Sequence, residues 1–287
     1  MPVAQDTWKH EYITTNGVKL HYVTQGTGPL MLMLHGFPEC WYSWRHQIPE
    51  FAQYFQVVAV DLRGYNDSDK PKEQSAYVMD EFIKDVAGLI KGLGHEKCIL
   101  VGHDWGGAIA WSFAYAHPSM LEQLIILNLP HPAKFAQGLY SPQQLLRSWY
   151  IFLFQLPGLP ELLLQSTNYQ AISSTIQGTA VNKNAFTQTD LNIYKDAAAK
   201  PGAITAMLNY YRNIFSSSFF NRDWGILNVP TLMIWGENDT ALGKELTYNT
   251  STYVKNLQIK YIHACGHWVQ QEQPELVNQY IRDYLVI

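Results

Sequence analysis

Apolar and polar positions along the chain fall into short buried runs separated by helical spacings. Trp8 to Val23 alternates around Asn16-Gly17, which predicts two strands joined by a tight hairpin. Leu30 to Leu34, Gln56 to Asp61, Cys98 to Gly102, Leu121 to Leu127, Pro230 to Gly236 and Leu257 to Ile262 read as further strands. Most of these are continuous apolar runs, as expected for strands covered on both faces. Between them lie helical patterns. A helix carrying Trp44, Ile48 and Phe51 is expected, and Phe82, Ile83, Val86, Leu89, Ile90 and Leu93 mark a second over Met79 to Leu93. Others are expected over about Lys244 to Tyr253 and over Pro274 to Leu285. Strand and helix alternate, so the fold class is α/β, with a mostly parallel eight-stranded sheet and helices on both faces. The alternation stops after Pro132. From Ala133 to Trp224 there are only helical segments, broken at Pro157-Gly158 and Pro201-Gly202. This predicts an α/β core over 1–132 and 225–287, and a helical lid over 133–224.

One stretch carries chemistry on its face. Gly102-His103-Asp104-Trp105-Gly106-Gly107 joins a buried strand to an Ala-rich helix. It has the G-x-S-x-G form of a nucleophile elbow, with Asp104 where a serine is usual. The helix N-terminus below it favours negative charge. An Asp at a strand-to-helix turn is also a common N-cap, so the flanking glycines and the later loops must decide. A covalent hydrolase needs a base and an orienting acid. Gly236-Glu237-Asn238-Asp239 offers two acids after one late strand, and Cys265-Gly266-His267-Trp268 offers a histidine after the last. The order Asp104, Asp239, His267 is nucleophile, acid, base. Glu237 competes for the acid role, and His267 alone is compatible with a structural histidine.

Composition adds bounds. The 287 residues carry a net charge of −4 with no long run of like charge, which argues against a polyanionic partner such as nucleic acid. Aromatic residues make up 14 % of the chain, enough for an aromatic pocket as well as a core. No signal peptide and no membrane span are expected. Cys40, Cys98 and Cys265 are an odd set without metal-type spacing, which favours free thiols in a reducing, cytoplasmic setting.

The motifs together resemble the epoxide hydrolase group of the α/β-hydrolase superfamily, and are similar to the catalytic domain of soluble epoxide hydrolases. The resemblance rests on His35-Gly36-Phe37-Pro38-Glu39 with Trp41-Tyr42-Ser43-Trp44-Arg45, on Asp61-Leu62-Arg63-Gly64-Tyr65, on the elbow, on Leu208-Asn209-Tyr210-Tyr211-Arg212, and on Cys265-Gly266-His267-Trp268. It covers essentially the whole chain. It implies an α/β-hydrolase fold, conversion of an epoxide and water to a vicinal diol through an ester on Asp104, and no cofactor or metal. It also implies two lid tyrosines that hold the epoxide oxygen, mapping onto Tyr150 and Tyr211, with packing as the competing role for each. The backbone N–H groups of Phe37 and Trp105 would form the oxyanion hole. Phe37, Trp105, Tyr150, Tyr211 and Trp268 would contact the substrate. The apolar residues of the helical segment, Leu145, Leu146, Phe152 and Leu162 to Leu164, point to a small apolar epoxide as substrate, and a monomer or homodimer is expected. His35 and His103 are expected to be structural, and Phe37-Pro38 to be a cis peptide. Two other readings share these residues. A haloalkane or haloacid dehalogenase uses the same Asp and Trp, but usually adds a second halide donor where Phe37 supplies only backbone. A non-catalytic binder on this fold would have no need of an intact nucleophile, acid and base.

Overall fold

A computed structural model describes residues 8–215 and 223–287. The N-terminal stretch read for a leader up to Thr7, and residues 216–222 near the end of the helical segment, lie outside the described residues. Eight strands form a single sheet: β1 Lys9–Thr15, β2 Val18–Gln25, β3 Leu30–Leu34, β4 Gln56–Val60, β5 Cys98–His103, β6 Leu121–Leu127, β7 Thr231–Gly236 and β8 Leu257–Ile262. Their order is β1-β2-β4-β3-β5-β6-β7-β8. β1 and β2 pair antiparallel, as do β2 and β4, and every other pair is parallel. The hairpin turns on Asn16 and Gly17, both with positive φ, as a two-residue turn matched to strand twist requires. β3, β5 and β7 are buried along their whole length, whereas the edge strand β1 alternates.

Two helix layers cover the sheet. α1 (Gln47–Phe51) packs on α12 (Pro274–Leu285), and the pair reaches β2, β4 and β7. α2 (Met79–Gly92) packs on α3 (Trp105–Ala116), and α3 lies against β3, β5 and β6. Between β6 and β7 come α4 (Pro132–Gly138), α5 (Pro142–Arg147), α6 (Trp149–Leu153), α7 (Leu159–Gln165), α8 (Gln170–Thr179), α9 (Gln188–Ala199) and α10 (Ala203–Arg212), with no strand among the described residues. α11 (Val269–Glu272) is a single turn between β8 and α12. The inserted helices are tied to the core by buried polar contacts. Tyr42 donates its hydroxyl to Asp190 at 2.9 Å, and Tyr210 donates to the Arg63 carbonyl at 2.6 Å. No helix among the described residues is long and apolar enough to cross a membrane.

Two expected helices come out differently. The pattern with Trp44, Ile48 and Phe51 is a 3₁₀ turn, Trp41–Trp44, followed by α1. Pro49 has no N–H to return to the preceding turn, so one continuous helix cannot form there. The helix expected over Lys244 to Tyr253 is two 3₁₀ turns, Lys244–Thr247 and Thr250–Thr252. Asn249 between them is left-handed, and the hydroxyls of Thr247 and Thr250 each bond a carbonyl three residues back.

Topology places the reactive loops. From β3 the chain crosses to β4 on one side, and β5 then pairs on the other side of β3. The loops leaving the carboxyl ends of β3 and β5 therefore diverge and leave a crevice between them, the favoured ligand site of open α/β sheets. Leu34 is in register with Gly102, so Gly36 and Asp104 emerge side by side.

Candidate active site

The elbow is built by steric exclusion. Asp104 sits at φ 49° and ψ −121°, outside the regions a residue with a side chain ordinarily occupies. A Cβ at Gly102 would lie 2.5 Å from the Gly106 carbonyl oxygen, and one at Gly106 would lie 2.1 Å from that of Leu34. A Cβ at Gly36 would fall 2.4 Å from that of Asp104 itself. Only glycine lets the β3 loop, β5 and α3 approach this closely.

The Asp104 side chain does not cap its own helix. Its Oδ1 instead accepts the Phe37 N–H at 2.8 Å, and its Oδ2 lies 3.6 Å from His267 Nε2. Trp105 N–H is the first of α3 and has no acceptor within that helix. The Phe37 N–H thus holds the carboxylate from the β3 loop, and Phe37-Pro38 is a cis peptide. Behind His267 stands Asp239, with Nδ1 and Oδ2 2.7 Å apart. Asp239 Oδ2 also accepts from the Asn128 amide at 2.7 Å, and Oδ1 accepts the N–H groups of Ala241 and Leu242 at 2.8 and 2.9 Å. All four acceptor positions are filled, so the carboxylate cannot rotate away from the histidine. Glu237 faces elsewhere and pairs with Lys244 and His263 at the surface. Geometry thus singles out Asp239 as the acid beside His267.

Burial penalises charge on all three groups, yet mutual attraction wins. His267 is held well above the usual imidazole range, because the carboxylates of Asp239 and Asp104 outweigh its desolvation. Both carboxyls are held below their ordinary values; burial opposes this, and His267 with the amide donors overrides it. Charge on His267 therefore depends on two anions. Removing one should lower its pKa. In Asp104→Ala we expect the His267 ring to titrate at lower pH than in the unmodified chain, read by NMR of the labelled imidazole. An unchanged titration would show that Asp104 contributes nothing to its charge state.

A cavity of about 510 Å³ opens over this group, bordered by Phe37, Asp104, Trp149, Tyr150, Tyr211, His267 and Trp268. A second branch of about 60 Å³, walled by Trp105, Phe135, Ile151, Tyr210 and Leu242, shares Asp104, Tyr150 and Tyr211 with the first. The two tyrosines, from α6 and α10, meet at the junction with rings 5.9 Å apart and nearly perpendicular. Their phenols are pushed up, by burial first and then by the Asp104 charge, so both are neutral proton donors. Phe37 and Trp105 each pack edge-on against Tyr211, at 5.3 and 5.1 Å. Trp268 borders the cavity with its indole N–H bonded to Thr179 Oγ1 at 2.9 Å. The structure thus brings Phe37, Asp104, Trp105, Tyr150, Tyr211, His267 and Trp268 to one branched cavity, with Asp239 behind His267.

Two histidines lie outside the cavity lining. His35 Nε2 accepts the Leu62 N–H at 3.1 Å and steadies its own loop. His103 is fully buried between Glu39 Oε2 at 2.8 Å and the His267 carbonyl at 2.9 Å. Glu39 is a supporting residue that sequence reasoning did not single out. Its oxygens also accept the Gly36 N–H and the side-chain amides of Gln270 and Gln271. A glutamate directly after His-Gly-Phe-Pro, ahead of an aromatic run, was the available signal.

The sheet, its switch point and the elbow define an α/β hydrolase, and residues 29–274 match the family model described as alpha/beta hydrolase fold. Epoxide hydrolase 4 of Mus musculus is 42 % identical over 281 residues, covering 95 % of this chain and 78 % of that protein. AB hydrolase superfamily protein YfhM of Bacillus subtilis is 42 % identical over 285 residues, covering 98 % and 99 %. The crystal structure of Bacillus megaterium epoxide hydrolase in complex with an inhibitor superposes with a TM-score of 0.91 at 36 % identity, covering 96 % of this chain and all of that one. This chain belongs to the epoxide hydrolase group of the α/β-hydrolase fold family.

Proposed function

We propose that this chain adds water to an apolar epoxide and releases a vicinal diol, using Asp104 as a covalent nucleophile. The observation that carries the reading is one cavity in which a buried carboxylate faces two neutral phenols on one side and a His–Asp pair on the other. Oδ1 of Asp104 is occupied by the Phe37 N–H, so Oδ2, 3.6 Å from His267 Nε2, is the oxygen that attacks. Attack on an epoxide carbon forms a C–O bond to Oδ2 and breaks the ring C–O bond. The oxygen released from the ring takes a proton from Tyr150 or Tyr211. An sp³ carbon develops no oxyanion of its own, so donors on the leaving oxygen are what this step needs.

The ester then presents a carbonyl at Oδ1, inside the pair of backbone donors. Esterification also removes the Asp104 charge, one of the two that hold His267 protonated. The imidazole becomes a base when a base is needed. Water loses its proton to His267 and attacks the ester carbonyl carbon. The oxyanion formed lies against Phe37 N–H and Trp105 N–H. The bond from that carbon to Oδ2 breaks, so Oδ2 leaves with the product and takes up the second proton of the water, and the water oxygen restores the carboxylate. The proton that His267 gave up on ester formation returns the tyrosinate to its phenol, and His267 keeps the first proton of the water. A serine in place of Asp104 would leave an ether that no such step could cleave. The apolar walls suit an apolar epoxide, and the helices over the cavity act as the lid. In this scheme none of the steps calls for a metal or an organic cofactor.

Halide displacement could use the same carboxylate, but Phe37 offers only a backbone donor where a second halide-binding side chain is needed. Purified protein should convert styrene oxide to its diol and release no halide from a chloroalkane. Tyr211→Phe should slow ester formation by about 10²-fold, the cost of one transition-state donor, and Tyr150→Phe should act on the same step. Halide release without diol formation would select the dehalogenase reading. Unchanged ester formation in both tyrosine variants would remove the phenols from the mechanism.

A further inference from the structure

Glu272 closes α11 and is 2 % exposed. It forms no ion pair with any described residue, and its partners are four backbone N–H groups on two separate loops. Oε1 accepts from Gly266 at 3.1 Å and from Trp268 at 3.3 Å, the residues on either side of His267. Oε2 accepts from Val181 at 2.8 Å and Asn182 at 2.9 Å, in the segment between α8 and α9 of the helical insertion. Four donors fill the four acceptor positions of an ionised carboxylate, so its charge is solvated by backbone alone. The same seam is closed a second time by the bond from Trp268 Nε1 to Thr179 Oγ1. It is also tight: a Cβ at Gly266 would lie 2.8 Å from Glu272 Oε1 and 3.1 Å from the Thr179 carbonyl.

The His267 backbone is therefore held from below by α11 and from the side by the end of α8. We propose that Glu272 is a positioning residue that fixes the height and direction of His267 by locking its loop to the helical insertion. The proposal rests on the reading of His267 as the base of ester hydrolysis, and it makes the alignment of that base depend on the insertion being docked. Tyr150 and Tyr211 come from α6 and α10, which Glu272 does not touch, so ring opening is independent of it. The two halves of the reaction should respond differently to its loss.

Glu272→Gln keeps the shape but turns one acceptor into a donor facing two N–H groups, which releases one of the two loops. With styrene oxide in single-turnover mode, ester formation should proceed at the unmodified rate. Ester breakdown should slow by about 10- to 100-fold, the range expected for a displacement of about 1 Å in a catalytic group. Glu272→Asp, which keeps four acceptor positions, should recover part of that rate. Thr179→Val, which opens only the second link, should slow the same step less, and it carries the test if Glu272→Gln does not fold. Equal slowing of both steps, or breakdown at the unmodified rate in Glu272→Gln and Thr179→Val, would overturn the proposal. His267→Gln run alongside separates the causes. If it accumulates no ester, the reading of His267 is at fault. If it does and Glu272→Gln does not, only the positioning role fails.

Discussion

Asp104→Ala is expected to lose epoxide turnover by at least about 10⁴-fold, without loss of the fold. The reason lies in how little else the cavity offers. Among the described side chains that line it only Asp104 is a carboxylate, and His267 stands beside it. Without the nucleophile, His267 would have to drive water directly onto an unactivated epoxide carbon, across the gap the carboxylate leaves. The turn conformation itself does not depend on the Asp104 side chain. It is imposed by the glycine contacts at positions 36, 102 and 106, and what the side chain gives up is its hydrogen bond from Phe37 and its ion pair with His267. Circular dichroism should therefore match the unmodified chain while diol formation vanishes. Residual turnover above a few per cent would assign the nucleophile elsewhere.

His267→Gln should fail later, and in a way Asp104→Ala cannot. Ring opening needs only Asp104 and the phenols, so the variant should consume one equivalent of epoxide and stop. Glutamine is neutral and cannot take the proton from water, and Asp239, still held by Asn128 and the N–H groups of Ala241 and Leu242, cannot move up to replace it. Steady-state diol formation should fall by about 10³-fold or more, within the range expected for loss of a general base. Ester formation should be far less affected.

Much of this arrangement is visible in the sequence where the cause is local. The elbow is legible because its glycines exclude Cβ atoms from positions two residues from Asp104. The hairpin is legible because Asn16-Gly17 supplies the two left-handed residues it needs. Buried strands show as apolar runs because helices cover both faces. What depends on distant partners is not legible in the same way. Asp239 and Glu237 are equally acidic and two residues apart, and only the placement of His267, 28 residues beyond Asp239, distinguishes them. Tyr150 is one of several aromatics in its segment until α10 brings Tyr211 beside it. The span from Lys244 to Tyr253 has the apolar spacing of a helix, but its threonines bond their own backbone and Asn249 breaks it. Glu272 reads as one acid in a polar run; its four partners come from two loops that only the folded chain brings together.

The central claim is a covalent ester on one carboxylate, and its most direct test is the mass of the His267→Gln protein after brief exposure to styrene oxide. The account predicts a gain of one epoxide mass on nearly every molecule. The added mass should map to the peptide that contains Asp104 and be absent when Asp104 is also replaced by alanine. No mass gain, or an adduct on any other residue, would contradict it.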